Sequence, residues 1–392
     1  MKKTGMIVII LLLACLYCTR MKEEADKKRP GYPVREDIIE GIRTVMNPDF
    51  PQDGRIHYRM AEVITLGEEA GPEEGILFFP YDIRVDSQDH IYVADAEDMN
   101  IKVYDQNGSW IRNVGRRGQG PGEYMALSDF DVSQDDRIFI SDIRQRRISI
   151  LRTDGTFISS FTTKGGCARL RVDETGHVYL QHLVSFRPEG TSGEKNQEII
   201  IKRIDSRGKN PFEYGKFPAG KFVWRPKTEQ GTIHITGHES QDAHTTVWIV
   251  GKGSRLYLGY SKEYLISVLD KKGKPIFRFG REFTPIKHPL YSPDLAHPEC
   301  YPAFYSRYLF FDDECNLWLK QYTDSDETGH VYDVFSPDGI FIRQAVVPER
   351  IFRFQNGKAY SIVKLESETY AAKCYKLIKN KSSESQPGPW ED

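Results

Sequence analysis

IRVDSQDHIYVADAEDMNIKVYDQNGSWIRNVGRRGQGPGEY, residues Ile83 to Tyr124, is the stretch whose reading decides the fold. Apolar side chains alternate at Ile83 and Val85, at Ile91 and Val93, and at Ile101 and Val103, the period of two that marks half-buried strands. Asp86 to Asp89 and Asp105 to Gly108 supply turns between them, and Trp110 to Val114 makes a fourth run. Short strands joined in succession by tight turns describe one four-stranded antiparallel sheet.

The pattern recurs along the chain. In Phe130 to Phe161, Val132 takes the place of Val85, Ile138 and Ile140 those of Ile91 and Val93, and Ile148 and Ile150 those of Ile101 and Val103. Asp95 and Asp142 coincide as well, and aspartates at equal positions of a repeat are read as bonding nearby turn amides. Further copies begin at Leu170, Val247 and Leu309, and a last unit from Arg350 to Ile378 holds about three strands. Arg55 to Leu66, which also alternates, supplies the strand that unit lacks. The expectation is an all-β chain: a six-bladed β-propeller of four-stranded antiparallel blades, closed by an N-terminal strand that completes the last blade and leaves no open edge. The turn glycines Gly108, Gly155, Gly208, Gly273 and Gly339 grow further apart along the chain, so the later units carry insertions. The longest, Pro211 to His244 and Thr284 to Arg307, read as loops on one face of the ring, where recognition usually resides.

The amino terminus, MKKTGMIVIILLLACLYC, places two lysines before an apolar run too short to span a bilayer, the pattern of an export signal. Leu12 to Cys15 resembles the bacterial lipobox, which makes Cys15 the expected lipidation site, with an ordinary signal peptide or an uncleaved anchor as the alternative. The expected divisions are a lipoprotein signal peptide over 1–14, a lipidated N-terminus and flexible linker over 15–55, the propeller over 56–380 and a polar tail over 381–392, with a short helix at Ile38 to Val45 inside the linker. Cys300 and Cys315 are the nearest cysteine pair in the body of the chain, to be read as a disulfide or as free thiols. A formal net charge of −2 argues against a nucleic-acid partner.

FFPYDIRVDSQDHIYVADAEDMNIKVYDQNGSWIRNVGRRGQGPGEY resembles the NHL-type repeat in its V-D run, its aspartate-glycine hairpin and its glycine-rich bend. With Cys15, the chain looks like the six-bladed propeller lipoproteins of Bacteroidota. That resemblance implies a monomeric ring tethered by lipid to the cell envelope, more naturally the outer membrane, facing the periplasm or the surface. It is weak for activity, since propellers host binding scaffolds and also lyases and hydrolases that act on glycans or lactones.

The bend GRRGQGPG lacks the glycine spacing and the following helix of a phosphate loop, so it reads as the joint between two blades, and no cofactor is expected. His234, His238 and His244 are the metal candidates, read by default as a loop cluster without metal. In propellers of this kind the first strand of each blade lines the central channel. The starts of those strands therefore offer the candidate ligand surface: Tyr81, Asp82, Asp129, Arg169, His244 and Arg307, whose mixed charges suit a protein, peptide or glycan. They compose no catalytic signature.

Overall fold

The computed structural model describes residues 32–68, 71–184, 193–229, 232–239, 244–287, 300–322, 329–367 and 369–380. Cys15, the signal segment and the 381–392 tail lie outside the described residues.

The chain is an all-β propeller of six blades. Blade one is Pro80–Val85, Ile91–Asp95, Asn100–Tyr104 and Trp110–Val114, hydrogen-bonded in that order from the axis outward, and blade two is Leu127–Val132, Arg137–Asp142, Arg147–Arg152 and Phe157–Thr162. Blades three, four and five open with Cys167–Val172, Thr246–Gly251 and Phe304–Phe311. Blade six has Arg353–Gln355, Lys358–Lys364 and Tyr370–Lys379, and Arg55–Leu66 is its outer strand, with Ile64 opposite Cys374. The first residues of that same strand pair in parallel with the outer strand of blade five, Arg55 opposite Gln344, so one N-terminal segment holds two blades. The six inner strands touch in succession round the ring, and the last touches the first.

Each sheet is apolar on both faces, and the core accordingly divides among the gaps between blades. Tyr92, Ile101, Tyr124, Phe130 and Ile140 fill the gap between blades one and two, and Phe139, Ile150, Leu170 and Leu180 the next. Comparable clusters follow round to the seam, where Leu66, Ile83, Tyr104, Tyr360 and Cys374 join blade six to blade one. The hairpin aspartates set the turns: Asp105 Oδ1 accepts from the amides of Asn107 and Ser109, both at 2.9 Å. Asp95 and Asp142 do the same at the opposite end of their strands. Asp95 accepts from Phe78 N at 2.7 Å and Glu97 N at 3.0 Å, and Asp142 from Met125 N at 2.7 Å and Gln145 N at 2.9 Å.

Two expectations are corrected. Ile38 to Val45 is not a helix: Arg35–Ile39 and Ile42–Asn47 form a hairpin whose second strand runs parallel to Pro275–Arg281, the fourth strand of blade four. Strand pairing thus begins at Arg35, inside the stretch read as a linker. Asn47 fixes it there, donating from Nδ2 to Gly280 O at 2.7 Å and Gly339 O at 2.8 Å while Oδ1 accepts from Phe341 N at 2.9 Å. Pro211 to His244 is not a loop either. Phe212–Glu229 serves as the fourth strand of blade three, overshoots it, and pairs with Thr232–Glu239 as an antiparallel ribbon. Cys300 and Cys315 are free thiols.

The bend GRRGQGPG is the joint between blades one and two. Arg116–Arg117 pairs in parallel with Glu123–Tyr124, and Glu123 Oε2 accepts from Gly120 N at 2.9 Å. Gly115 has φ +80°, and a Cβ there would sit 2.0 Å from the Tyr124 ring, which is itself buried between the blades. Gly115→Ala is therefore expected to cost about 3 kcal/mol, from left-handed backbone strain and overpacking together. Gly120→Ala, five residues on and facing only the flexible Glu123 side chain, should cost less than about 1 kcal/mol. Urea denaturation midpoints of the two variants check the difference.

Candidate functional site

The inner strands enclose a cavity of about 2270 Å³ that runs along the ring axis. One end is the mouth, where the inner strands start; the other is ringed by the turns that follow them. Side chains two residues apart on a strand share a face, and on the first three inner strands that face carries charge: Asp82 and Arg84, Asp129 and Asp131, Arg169 and Arg171. Arg353 continues it on blade six. Blades four and five border the cavity at Ile249, Val250, Phe304 and Phe310, of which Ile249, Phe304 and Phe310 are buried in the packing between blades.

Arg84 is the hub of the charged wall. Its Nη1 donates to Asp82 Oδ1 at 2.6 Å and its Nε to Asp131 Oδ1 at 2.8 Å, while Nη2 approaches Asp129 Oδ1 only to 3.9 Å. That Nη2 is buried and makes no hydrogen bond. Asp129 Oδ2 accepts from Arg171 Nη1 at 2.8 Å and from Leu170 N at 2.9 Å, and Asp131 Oδ2 from Val172 N at 2.9 Å. The two aspartates of blade two thus bind the guanidinium groups on either side and two amides of blade three, which fixes three inner strands against one another.

Burial acts on every group here, and the neighbours decide the outcome. For Asp82 the burial cost is outweighed by Arg84 and then Arg171, so its carboxyl lies below the usual range. Burial raises Asp129, and the nearby Asp82 carboxylate adds to that against the pull of Arg171. Arg84 is held above the usual arginine range because Asp82, Asp131 and Asp129 together outweigh its burial. The two outer arginines go the other way: burial and then repulsion from Arg171 lower Arg169 to about 9, and burial and then Arg84 lower Arg353 to about 10.

Of the residues picked from sequence, Tyr81, Asp82, Asp129 and Arg169 come together on the cavity wall. Tyr81 ties blades one and two, its hydroxyl donating to Leu127 O at 3.1 Å. Arg169 stacks on the Trp248 ring at 5.1 Å, across the gap to blade four. His244 does not line the cavity; it packs edge-on against Tyr260, and burial lowers its pKa. Arg307 lies in the inner strand of blade five and His234 and His238 in the ribbon of blade three, but their side chains are outside the described residues. Among the described residues no group of three or more His, Cys, Asp and Glu is gathered in a way that would hold a metal ion. The sequence reading missed Arg84, Asp131, Arg171 and Arg353. The first three stand two residues after Asp82, Asp129 and Arg169, so the strand period itself was the signal.

This architecture defines the class: a six-bladed β-propeller with a charged axial channel. Residues 77–215 match a family model described as a 6-bladed beta-propeller. Among solved structures, a putative exported protein from Bacteroides fragilis aligns with TM-score 0.51 at 12% identity, covering 86% of this chain and 98% of that one. A member of the DUF4221 family from Bacteroides vulgatus aligns with TM-score 0.49 at 10% identity, over 82% of this chain and 99% of its own. Virginiamycin B lyase from Staphylococcus aureus aligns with TM-score 0.42 at 12% identity, over 81% of this chain and 99% of its own. No curated protein matches the chain.

Proposed function

We propose that the protein is a lipid-anchored component of a bacterial cell envelope, attached through Cys15, whose propeller channel binds a protein, peptide or glycan ligand. The observation that carries the binding role is the charged wall: its groups are preorganised on three rigid, mutually bonded strands and face a cavity wide enough for a ligand. A lyase or hydrolase of the same compartment is the competing reading, and it asks for a carboxylate able to take up a proton. Asp82 and Asp131 are held by the Arg84 guanidinium, which favours binding over proton transfer, and Asp129, raised by burial, is the carboxylate the competing reading would use. Export and the anchor rest on the sequence of the first residues, MKKTGMIVIILLLAC, and outer-membrane attachment is the expected location.

Two measurements test this. Cells fed a labelled fatty acid should label the wild-type chain and not Cys15→Ala, which should also leave the membrane pellet; a variant that keeps its label overturns the anchor. For the channel, Ala168 is exposed and lines the mouth, so Ala168→Trp narrows the entrance. A peptide and glycan extract of the envelope should raise the melting temperature of the detergent-solubilised wild type and leave that of Ala168→Trp unmoved. An equal response in both overturns the channel as the binding surface.

A further inference from the structure

The outer rim of blade four carries a contiguous apolar patch. Ile38 and Ile39, 72% and 45% exposed, stand on Arg35–Ile39, the edge strand added to that blade, and Ile276 on its fourth strand is 39% exposed. Ile39 lies opposite Ile42 in the hairpin, and the parallel pairing that sets Thr44 opposite Arg278 brings Ile42 beside Ile276. Single exposed apolar residues are ordinary, whereas neighbours on three adjacent strands, one of them an open edge, call for a cover. The turn that opens the fourth strand adds the exposed Lys271, Lys272 and Lys274, and Lys274, two residues before Ile276, shares its face. Of the acids nearby, Glu36 and Glu40 are paired with Arg43 and Arg278, and Asp270 accepts from the amides of Lys272 and Lys274. Asp37 on the hairpin and Asp338 on the turn of blade five are exposed, as is Lys209 on that of blade three. The hairpin is fastened to the ring by Asn47 and, at its start, by Arg35, 2.6 Å from Glu282.

We propose that this corner of blade four rests on the bilayer that the Cys15 acyl chains enter, its isoleucines at the acyl boundary and its lysines among anionic headgroups. The inference rests on the lipid anchor and adds the orientation of the ring on the membrane. The residues from Cys15 to Tyr32 span at most about 60 Å when fully extended, so the hairpin is the first folded element after the anchor and stays within that reach of it. An apolar surface flanked by lysines is the combination that binds an anionic interface, where each basic group adds about fivefold to the affinity. The anchor holds the patch at the surface, so a contact too weak to retain a free protein is enough to orient a tethered one. Inner strands start at the mouth and successive strands alternate in direction, which puts the Asp270 to Lys274 turn, after the third strand, at the other end of the blade. Contact there keeps the channel mouth clear of the bilayer and open to a ligand.

The test uses the full-length lipidated protein reconstituted in phosphatidylcholine vesicles with and without phosphatidylglycerol, the lipid brominated near the top of its acyl chains so that it quenches tryptophan close by. Ile39→Trp should lose emission relative to the wild type in the vesicles containing phosphatidylglycerol, and less in phosphatidylcholine alone. Phe79→Trp at the channel mouth and Gln106→Trp on the corresponding turn of blade one, across the ring, should keep theirs. Lys271→Glu combined with Lys272→Glu should restore the emission of Ile39→Trp, as should high salt, which screens exposed charges. All these positions are exposed, so the melting temperatures should match that of the wild type. Quenching at Phe79→Trp in place of Ile39→Trp, equal quenching at all three positions, or none at any, overturns the proposal. A dimer in detergent that Ile38→Asp dissolves assigns the edge strand to a second copy and overturns it too. Sedimentation with the vesicles at high salt reads the anchor separately. A protein that sediments there and is never quenched at Ile39→Trp keeps the anchor and loses the proposed contact; one quenched at low salt and released by high salt keeps the contact and loses the anchor.

Discussion

Arg84→Met is expected to lower stability by about 3–5 kcal/mol, the cost of stranding buried charges once their partner is removed. Only 4% of the Arg84 side chain is exposed, and three aspartates on two blades face it. Methionine fills a similar volume, so the loss reports charge more than cavity. The pH dependence separates the two. In the wild type the Asp82 carboxyl lies below the usual range, so its pairing stabilises the fold above the unfolded-state pKa and is lost as pH falls. Without Arg84, burial dominates at Asp82 and its carboxyl rises above its unfolded value, while that of Asp129, raised already, rises further; the unfolded chain then releases protons first, and the penalty grows as pH rises. The melting-temperature gap between wild type and Arg84→Met should therefore be small near pH 4, about where free aspartate titrates, and widen toward pH 7. A gap of constant size across that range would mean that the variant suffers from packing alone.

The same period of two that revealed the blades explains what was legible in the sequence. Blades one and two are sandwiched between neighbours and between axis and rim, so their strands alternate cleanly and their turns carry aspartate and glycine at fixed offsets. Arg55 to Leu66 was readable as the closing strand because it alternates and the last unit was one strand short. Arg35 to Asn47 was misread because Ile38, Ile39, Ile42 and Val45 also fit a helical spacing. Glu40 and Gly41, with φ of 53° and 77°, are the two left-handed positions of a tight hairpin turn, and that Glu-Gly pair was the overlooked mark of a hairpin. The Pro211 to His244 ribbon was hidden for another reason: its apolar alternation is confined to short runs, Phe212 with Tyr214 and Ile233 with Ile235, set among lysines, glycines, threonines and histidines. At the site, taking the residue at the start of each inner strand found Asp82, Asp129 and Arg169. Arg84 was within reach of the strand period, two residues after Asp82, whereas Arg353 becomes visible only once strands distant in sequence stand side by side.

The joint between blades four and five shows how far such a cross-blade charge can carry a fold, and Asp333→Ala should be among the most damaging single changes. Asp333 is fully buried in the third strand of blade five. Its Oδ2 accepts from Arg281 Nε at 2.7 Å, from Gln321 Nε2 at 2.8 Å and from the Tyr264 hydroxyl, and its Oδ1 accepts from Gln344 Nε2 at 3.0 Å. Arg281 ends the outer strand of blade four, stacked 4.3 Å from the Tyr264 ring and 5.5 Å from that of Phe341, with 8% of its side chain exposed. Burial disfavours its charge, and Tyr264 and Asp333 restore it above the usual range. Removing Asp333 leaves that cation among aromatic rings with no anion, for an expected loss of about 3–5 kcal/mol. Adding Arg281→Met to Asp333→Ala should recover part of the loss, since it removes the stranded charge and leaves an apolar contact with the same rings. A double-mutant cycle on denaturation midpoints measures this; groups in direct contact couple by about 0.5–3 kcal/mol. Strict additivity would mean that Asp333 acts through the Tyr264 hydroxyl and through its bonds to Gln321 and Gln344 within blade five, and that the ion pair contributes nothing to joining the two blades.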